Sequence, residues 1–146
     1  MSFIAWICPL LKPYIVQEYD YIYYQGDEIL SMFFVKQGGC AFVHPNFNNT
    51  PYIEMNEGQH FGMEDLITGI DKLEDQTNWI QYKSRFRRQF TSQALHGQKE
   101  LTTTLLLSVM LIYRMKVEFR EAYEELYTDS KKRGEKALQI KMQTLT

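Results

Sequence analysis

The sequence predicts a mainly β protein with some α-helix, namely an antiparallel, jelly-roll-like β-roll of about eight short strands followed by C-terminal helices. In the first two-thirds of the 146 residues, short runs rich in aromatic and β-branched residues alternate with Gly, Asn and Pro turns. From residue 108 onward, apolar residues recur at helical spacing instead. A parallel α/β sheet would need long helices between the strands, and the pattern predicts none there.

Short β-type runs carry the prediction of the roll. Five of them precede residue 56 and are separated by turn signals at 25–27, 38–39 and 45–51; they are residues 14–19, 21–24, 31–36, 40–44 and 52–55. Two later runs, residues 89–95 and 100–106, flank His96-Gly97-Gln98 and predict a final hairpin.

The segment between these two groups of strands has a different character. Residues 63–70 are compatible with one or two helical turns. Residues 71–82 are polar, apart from Trp79 and Ile80. We therefore expect an insertion over residues 70–85, with a helical turn docked on the core by Trp79.

The C-terminal part is predicted to be helical. Ser108 is a suitable N-cap, and the apolar face of the first helix consists of Leu111, Ile112, Met115 and Phe119. A second helix is expected over about 120–144, with a bend or hinge at Gly134, since glycine in a helix costs about 1 kcal/mol relative to alanine. The chain is thus expected to be one domain, 1–146, with an N-terminal segment and roll over 1–107 and helices over 108–146.

Composition and charge limit the possible partners. The net charge is −2 and the pI about 5.9, which argues against nucleic-acid binding, because that requires clustered Lys and Arg. The single basic cluster is short: Lys83, Arg85, Arg87 and Arg88. The apolar start, residues 1–11, is broken by prolines and too short to span a bilayer, so no transmembrane segment is predicted. Cys8 and Cys40 are expected to be reduced, mostly buried thiols.

No residue pattern indicates catalysis or a metal site. His44, His60 and His96 are isolated and are interpreted as surface or turn residues. There is no nucleophile elbow and no Gly-rich phosphate loop. The pairs Glu64-Asp65 and Glu74-Asp75 are interpreted as solvated or helix-start charges. We therefore predict no catalytic residues, no metal and no enzymatic activity.

Three segments in a fixed order carry a resemblance to a known family: Ile22-Tyr23-Tyr24-Gln25-Gly26-Asp27, Gly58-Gln59-His60-Phe61-Gly62 and Arg88-Gln89-Phe90-Thr91-Ser92-Gln93-Ala94. Together they resemble the cyclic-nucleotide-binding domain with its phosphate-binding cassette, over about residues 10–141. The detail is most similar to the C-terminal domain of ciliate EAG-like and cyclic-nucleotide-gated potassium channels, through Arg88–Thr91 and Tyr113–Phe119.

The resemblance implies a ligand site for cAMP or cGMP. In such a cassette, backbone N–H groups at a short helix start solvate the cyclic phosphate, an arginine adds a charge-assisted hydrogen bond, an acidic residue takes the ribose hydroxyl, and a C-terminal helix closes over the base. The residues that match these positions are Phe61, Gly62, Met63, Glu64, Arg88, Gln89 and Phe90, with Arg133 near the lid. No other cofactor is implied.

This chain departs from the family pattern within the cassette. Met63 stands where the family has Glu, and Glu64 comes one position late. Gln89-Phe90 replaces a small pair, so that Phe90 is a candidate to fill the pocket, and Gly62 and Arg88 are 26 positions apart. Arg88 is equally compatible with a surface salt bridge in the basic cluster.

Two functions therefore stay open at this point. The first is a non-enzymatic module with a degenerate cassette that serves as a structural or interaction subunit of a larger protein assembly. The alternative is a regulatory module that binds cAMP or cGMP and moves its C-terminal helix; a detached channel domain acting in trans is a minor third option. By analogy, we expect a location on the cytosolic side, in a cilium or axoneme, or at a membrane through partners.

The family assignment makes one geometric prediction. Residues 14–106 should wrap into a barrel in which the loop after Phe61 and the Arg88 guanidinium face one cleft. Placement of the two on opposite sides, or a helical N-terminal stretch, would contradict it.

Overall fold

A computed structural model describes residues 1–70, 76–97 and 101–144. The helices are α1 (Phe3–Ile7), α2 (Ile67–Ile70), α3 (Gln76–Lys83), α4 (Ile112–Glu118) and α5 (Arg120–Thr144), and the strands are β1 (Lys12–Val16), β2 (Tyr21–Tyr23), β3 (Ser31–Gln37), β4 (Gly39–His44), β5 (Thr50–Asn56), β6 (His60–Phe61), β7 (Thr91–Ala94) and β8 (Thr102–Ser108). They form two four-stranded antiparallel sheets, ordered β1-β8-β3-β6 and β2-β7-β4-β5. The predicted fold class, an antiparallel roll followed by helices, is confirmed.

The side chains of the central strands alternate between two faces and so contribute to two apolar cores. In β3, Phe33 and Val35 belong to the core inside the roll, whereas Met32 belongs to the core beneath the helices. Successive side chains of a strand point to opposite faces, so one strand supplies both cores. The roll core is rich in aromatic rings, and Phe33 stacks on Phe61 with ring centroids 5.0 Å apart.

The predicted final hairpin is wrong. β7 lies between β2 and β4 in one sheet, and β8 lies between β1 and β3 in the other. Both strands were located correctly in the sequence, but each already pairs along both of its edges. No edge is left for β7 and β8 to pair with each other, so the chain crosses between the sheets at this point.

The insertion forms a helix that docks on the second core. Within it, α3 brings Trp79 into full burial, and its indole Nε1 donates to the Val109 carbonyl at 2.9 Å. This contact agrees with the predicted docking by Trp79. The predicted polar segment also includes residues 71–75, which lie outside the described residues, as do 98–100 of the predicted hairpin.

The N-terminal stretch is helical, contrary to expectation. The Ser2 hydroxyl accepts a hydrogen bond from the Ala5 N–H and caps α1, and Trp6 on this helix stacks on Phe119 at 5.0 Å. The helix ends before Pro9, and the roll begins at Lys12. This helix meets one of the two conditions that were stated to contradict the family assignment. It ends before Lys12, however, and the described part of residues 14–106 forms the predicted two-sheet roll, so that condition was too strict and the fold prediction is unaffected.

The C-terminal helices agree closely with their predicted bounds. Ser108 accepts a hydrogen bond from the Met110 N–H and caps a 3₁₀ turn, Val109–Leu111, that leads into α4. α5 is an uninterrupted helix through Gly134, where a bend was expected. Gly134 instead lies against the cassette: a Cβ added there would be 3.3 Å from Glu64 Cβ. Among the described residues, no helix is long and apolar enough to cross a membrane.

Candidate functional site

The cassette connects β6 to β7 and lies under α5. It begins at Gly62, whose φ of +101° is in the region that favours glycine, and continues through a 3₁₀ turn, Glu64–Leu66, into α2. A side chain at Gly62 would meet Met32 Cα at 3.2 Å and Arg88 Nη1 at 3.3 Å. Arg88 Nη1 donates to the Gly62 carbonyl at 2.6 Å. The turn and the guanidinium are therefore in direct contact and not on opposite sides of the roll, which agrees with the predicted placement.

Arg88 is a buried residue, which overturns its interpretation as a surface salt-bridge residue. It is 3% exposed, and its guanidinium lies over the Tyr23 ring at 4.0 Å. Besides the Gly62 carbonyl, it donates to the Ser31 carbonyl and to the Asp65 carboxylate, the latter at 3.1 Å. Its charge is thus already met by protein groups.

Glu64 and Asp65 are buried as well and stand in the first turn of the 3₁₀ helix. Of the two interpretations, that of solvated charges is therefore wrong and that of helix-start charges agrees with the structure, while Glu74 and Asp75 lie outside the described residues. Glu64 accepts from the Gly62 N–H at 2.5 Å and from Arg133 Nη1 at 2.8 Å. Asp65 accepts from Arg88 and from the Gln89 N–H, the latter at 2.7 Å. Burial raises the pKa of Asp65 to about 6, although the Arg88 charge acts in the opposite direction. Tertiary packing brings these carboxylates inside, where each meets an arginine.

α5 closes the cleft with polar contacts. Arg133 pairs with Glu64, and Lys141 Nζ donates to the Gln89 carbonyl at 2.7 Å and to Gln25 Oε1 at 2.6 Å. Burial lowers the pKa of Lys141. Sequence reasoning placed Arg133 near the lid but missed Lys141. Its spacing from Gly134 and Ala137, which puts all three on one helical face, was the signal that would have found it.

Two residues carried over from the family lie in the apolar cores. Phe90 is 1% exposed and stacks on Phe42 at 4.9 Å within the roll core, which also contains Ala137 of α5. Met63, which stands where the family has an acidic residue, is fully buried in the core beneath the helices. The cleft between Glu64, Gln89 and α5 has a volume of about 170 Å³. Typical small-molecule sites begin at about 300 Å³.

His60 is buried on β6, not on the surface as expected. Its Nε2 lies 3.7 Å from Asp129 Oδ2, and burial together with the nearby Arg133 charge lowers its pKa. His44 is half-buried and His96 is exposed. Over the described ranges, no group of three or more His, Cys, Asp or Glu side chains is arranged to hold a metal ion.

The two cysteines differ from each other. Both are free, but Cys8 is exposed, which corrects the expectation of burial, whereas Cys40 is buried. Burial raises the pKa of the Cys40 thiol to about 12, so this group is an inert core residue.

The fold is that of cyclic-nucleotide-binding domains: a two-sheet roll, a glycine turn after β6, an arginine just before β7 and a helix across the cleft. A similar solved structure is the crystal structure of a "Putative Cyclic nucleotide-binding protein" from Geobacter metallireducens. The two share 10% sequence identity with a TM-score of 0.58, over 89% of this chain and 81% of that one. This similarity shows the fold alone. No family model and no curated protein matches the sequence.

Proposed function

We propose that this chain is a non-enzymatic module with the cyclic-nucleotide-binding fold, whose cassette is closed by its own side chains and which serves as an interaction subunit of a larger protein assembly. One observation carries the proposal. The groups that a cyclic nucleotide would need are engaged within the protein: Arg88 by Asp65 and Gly62, and Glu64 by Arg133.

The charge balance of the cleft supports this proposal. Two buried carboxylates, Glu64 and Asp65, are each paired with an arginine, Arg133 and Arg88 respectively, so neither arginine keeps an unmatched charge for a ligand. The further cation at the cleft, Lys141, donates to the Gln89 carbonyl and to Gln25 Oε1. The Gly62 N–H that would solvate a phosphate already donates to Glu64. A phosphate at that N–H would sit beside a buried carboxylate, and like charges in a poorly solvated site repel strongly.

The packing of the roll core also supports the proposal of a closed cassette. The Phe90 ring stacks on Phe42 in the interior of the roll, and Ala137 of α5 lies in the same core. A nucleotide base entering between α5 and the cassette would have to displace this packing. The module therefore keeps the fold while its own residues occupy the ligand's place.

Titration of the purified chain with cAMP and cGMP by isothermal calorimetry tests the proposal. We expect no binding at millimolar ligand. Binding tighter than about 10 μM, equivalent to about −7 kcal/mol, would overturn it if Arg88→Ala or the milder Glu64→Gln abolishes that binding. Arg114→Ala, in an exposed ion pair with Glu118, is the matched control and should leave the titration unchanged.

The alternative function, a regulatory module that binds cAMP or cGMP, is favoured by one observation. Gly62 has a left-handed conformation, and its carbonyl contacts Arg88 Nη1, so the turn and the arginine that the alternative requires are adjacent. A ligand that replaced Arg133 would also loosen α5. Hydrogen–deuterium exchange over residues 129–141 with and without 1 mM cGMP separates the two functions: a ligand-dependent change in exchange, slower where α5 closes over the base or faster where it is released, favours the alternative, and unchanged exchange favours the closed cassette.

Partners and location follow from the interaction role. Several large apolar residues are exposed, among them Ile4, Ile15, Leu30, Val117 and Met142, and such side chains are common in protein contacts. We propose other proteins of a complex as partners. Placement on the cytosolic side, or in a cilium by analogy with ciliate channels, stays a prediction.

A further inference from the structure

Two unpaired strand edges meet at one side of the roll. Among the strands of the described residues, β1 pairs only with β8 and β2 only with β7, so each ends its sheet. A groove of about 220 Å³, here called the seam groove, is lined by residues of both strands and of the segment after β2. Its apolar lining consists of Tyr14, Ile22, Tyr23, Leu30, Phe33 and Leu106. A sheet edge beside an apolar groove is the arrangement that accepts an added strand.

Exposed apolar side chains continue the groove onto the surface. Leu30, in its wall, is 62% exposed, and Ile15 of β1 is 59% exposed. Tyr14, between the groove and the edge, is 39% exposed. Tyr14 and Leu30 both line the groove, whereas Ile15 follows Tyr14 on β1 and its side chain points to the opposite face of the strand.

Pro13 fixes which backbone groups of β1 face the open edge. Proline has no N–H and in sheets is tolerated where that position would face away from the ladder. Along an antiparallel strand, the backbone N–H and C=O groups of successive residues point alternately to the two neighbouring sides. The backbone groups of residues 13 and 15 therefore point to the open edge, while those of residues 12, 14 and 16 point to β8. The N–H of Ile15 is therefore a donor available to an added strand.

The groove is also negatively charged. Asp27 and Glu28 line it, and its one lining cation, Arg88, is buried and paired with Asp65. Arg87 is adjacent through its backbone bridge to Glu28, but its guanidinium donates to the carbonyls of Ser84 and Phe86. A partner with Lys or Arg beside an apolar residue would match both the charge and the lining.

We propose that the seam groove binds an extended segment of a partner protein, which adds as a strand along β1, places an apolar side chain between Tyr14 and Leu30, and sets Lys or Arg beside Asp27 and Glu28. This inference rests on the proposed interaction role and names its surface. An added strand gains backbone hydrogen bonds from the edge and specificity from alternate side chains.

A random 12-residue peptide library displayed on phage and selected against the immobilised full chain is the probe. We expect enriched peptides in which apolar residues alternate and are flanked by Lys or Arg. For a synthetic peptide of the enriched sequence, Ile15→Pro and Leu30→Asp should each weaken binding at least tenfold. Val117→Asp, at an equally exposed apolar residue on α4 (61%), should leave it unchanged.

If Ile15→Pro disturbs the strand itself, a charge reversal at Glu28 still tests the proposal. Glu28→Lys should weaken the basic peptide and restore binding to a version in which its flanking Lys or Arg is replaced by Glu. Selected peptides that bind Leu30→Asp and Glu28→Lys as well as the parent, or the absence of any enriched sequence, would overturn the proposal. Self-association in analytical ultracentrifugation that Ile15→Pro abolishes would assign the edge to a second copy and overturn it too.

The nucleotide titration on the same preparation separates the two proposals. Nucleotide binding together with peptide binding would refute the closed cassette and leave the groove intact. Absence of both would refute the groove alone.

Discussion

At the scale of single residues, the cassette is organised by two buried ion pairs, Arg88–Asp65 and Glu64–Arg133. A buried pair seldom stabilises a fold more than well-packed apolar residues would, because both charges lose their hydration. Removal of one partner is costly, however, since the other charge stays buried without compensation. Glu64–Arg133 is therefore expected to fix how α5 sits on the cassette, and Arg88–Asp65 to hold the two ends of the cassette together.

Arg88→Ala should lower the free energy of unfolding by about 3–5 kcal/mol, because Asp65 would keep a buried carboxylate without its arginine. Urea unfolding followed by circular dichroism measures this. The exposed pair of Arg120 and Glu124 is the control, and Arg120→Ala should cost at most about 1 kcal/mol. Equal effects of the two substitutions would show that the Arg88 contacts do not hold the cassette.

His60 should make the protein sensitive to mild acid. Its pKa is lowered in the folded state by burial and by Arg133, so the unfolded chain binds a proton more readily. The stability that neutral His60 contributes is present above about pH 6.5 and is lost as the pH falls below it, at a rate of at most about 1.4 kcal/mol per pH unit.

The predicted loss of stability on acidification is tested by measuring the urea concentration at the unfolding midpoint between pH 8 and 5, for the parent protein and for His60→Gln. The parent should lose more stability on acidification than the variant. Asp65, whose pKa is raised to about 6, acts in the opposite sense, because its buried carboxylate destabilises the fold as the pH rises toward 6. It is common to both proteins, so it cancels in the comparison. Parallel curves would contradict the lowered pKa of His60.

The residues of the cleft show what a sequence can and cannot reveal. Gly62 and Arg88 were located because the family motif fixes their types and order. The burial of Glu64, Asp65 and His60 was missed, because charged and titratable residues are usually exposed and local sequence gives no sign of a partner that lies far away in the chain. Arg133 is 69 positions from Glu64, so only the fold brings the two together.

At the scale of elements, local signals located the strands and the C-terminal helices, but they missed the N-terminal helix α1 and did not predict how β7 and β8 pair. The Ser108 cap and the start of α5 at Arg120 follow from nearby residues, and both agree with the structure. The pairing of β7 and β8 depends on which edges remain free after the other strands have paired. That is a property of the whole sheet, so two correctly located strands were joined into a hairpin that does not exist.

Gly134 illustrates the same limit within a helix and allows a direct test. Its role is close approach to Glu64, so Gly134→Val should destabilise the protein by about 1–3 kcal/mol through overpacking. Glycine is a poorer helix former than valine, so helix propensity alone would leave Gly134→Val neutral or slightly stabilising, and a loss reports overpacking. Lys136→Val, on the exposed face of α5, places valine in the same helix without that contact and should cost about 0.5 kcal/mol or less. Urea unfolding of both variants measures the difference, and equal losses would show that α5 does not press on the cassette at this point.

At the scale of the whole molecule, α5 joins the roll core to the core beneath the helices. Ala137 lies in the first and Tyr123 in the second, both almost fully buried. A helix shared by two cores should unfold together with both of them. This argument predicts one cooperative transition, in which α5 does not detach first.

Ala137→Asp tests that coupling. The carboxylate would enter the roll core, where its burial without a partner costs several kcal/mol, while Lys136→Asp places the same group on the exposed face one residue away. We expect Ala137→Asp to shift the whole urea transition to lower denaturant, with circular dichroism and Trp fluorescence changing together, and Lys136→Asp to leave it nearly unchanged.

Because Trp79 reports on the core beneath the helices and not on the roll, fluorescence that kept its original midpoint while the helix signal fell would show that α5 leaves independently. In that case the module would be able to open its cassette without unfolding, and the closed cleft would be one of two states that the intact roll allows.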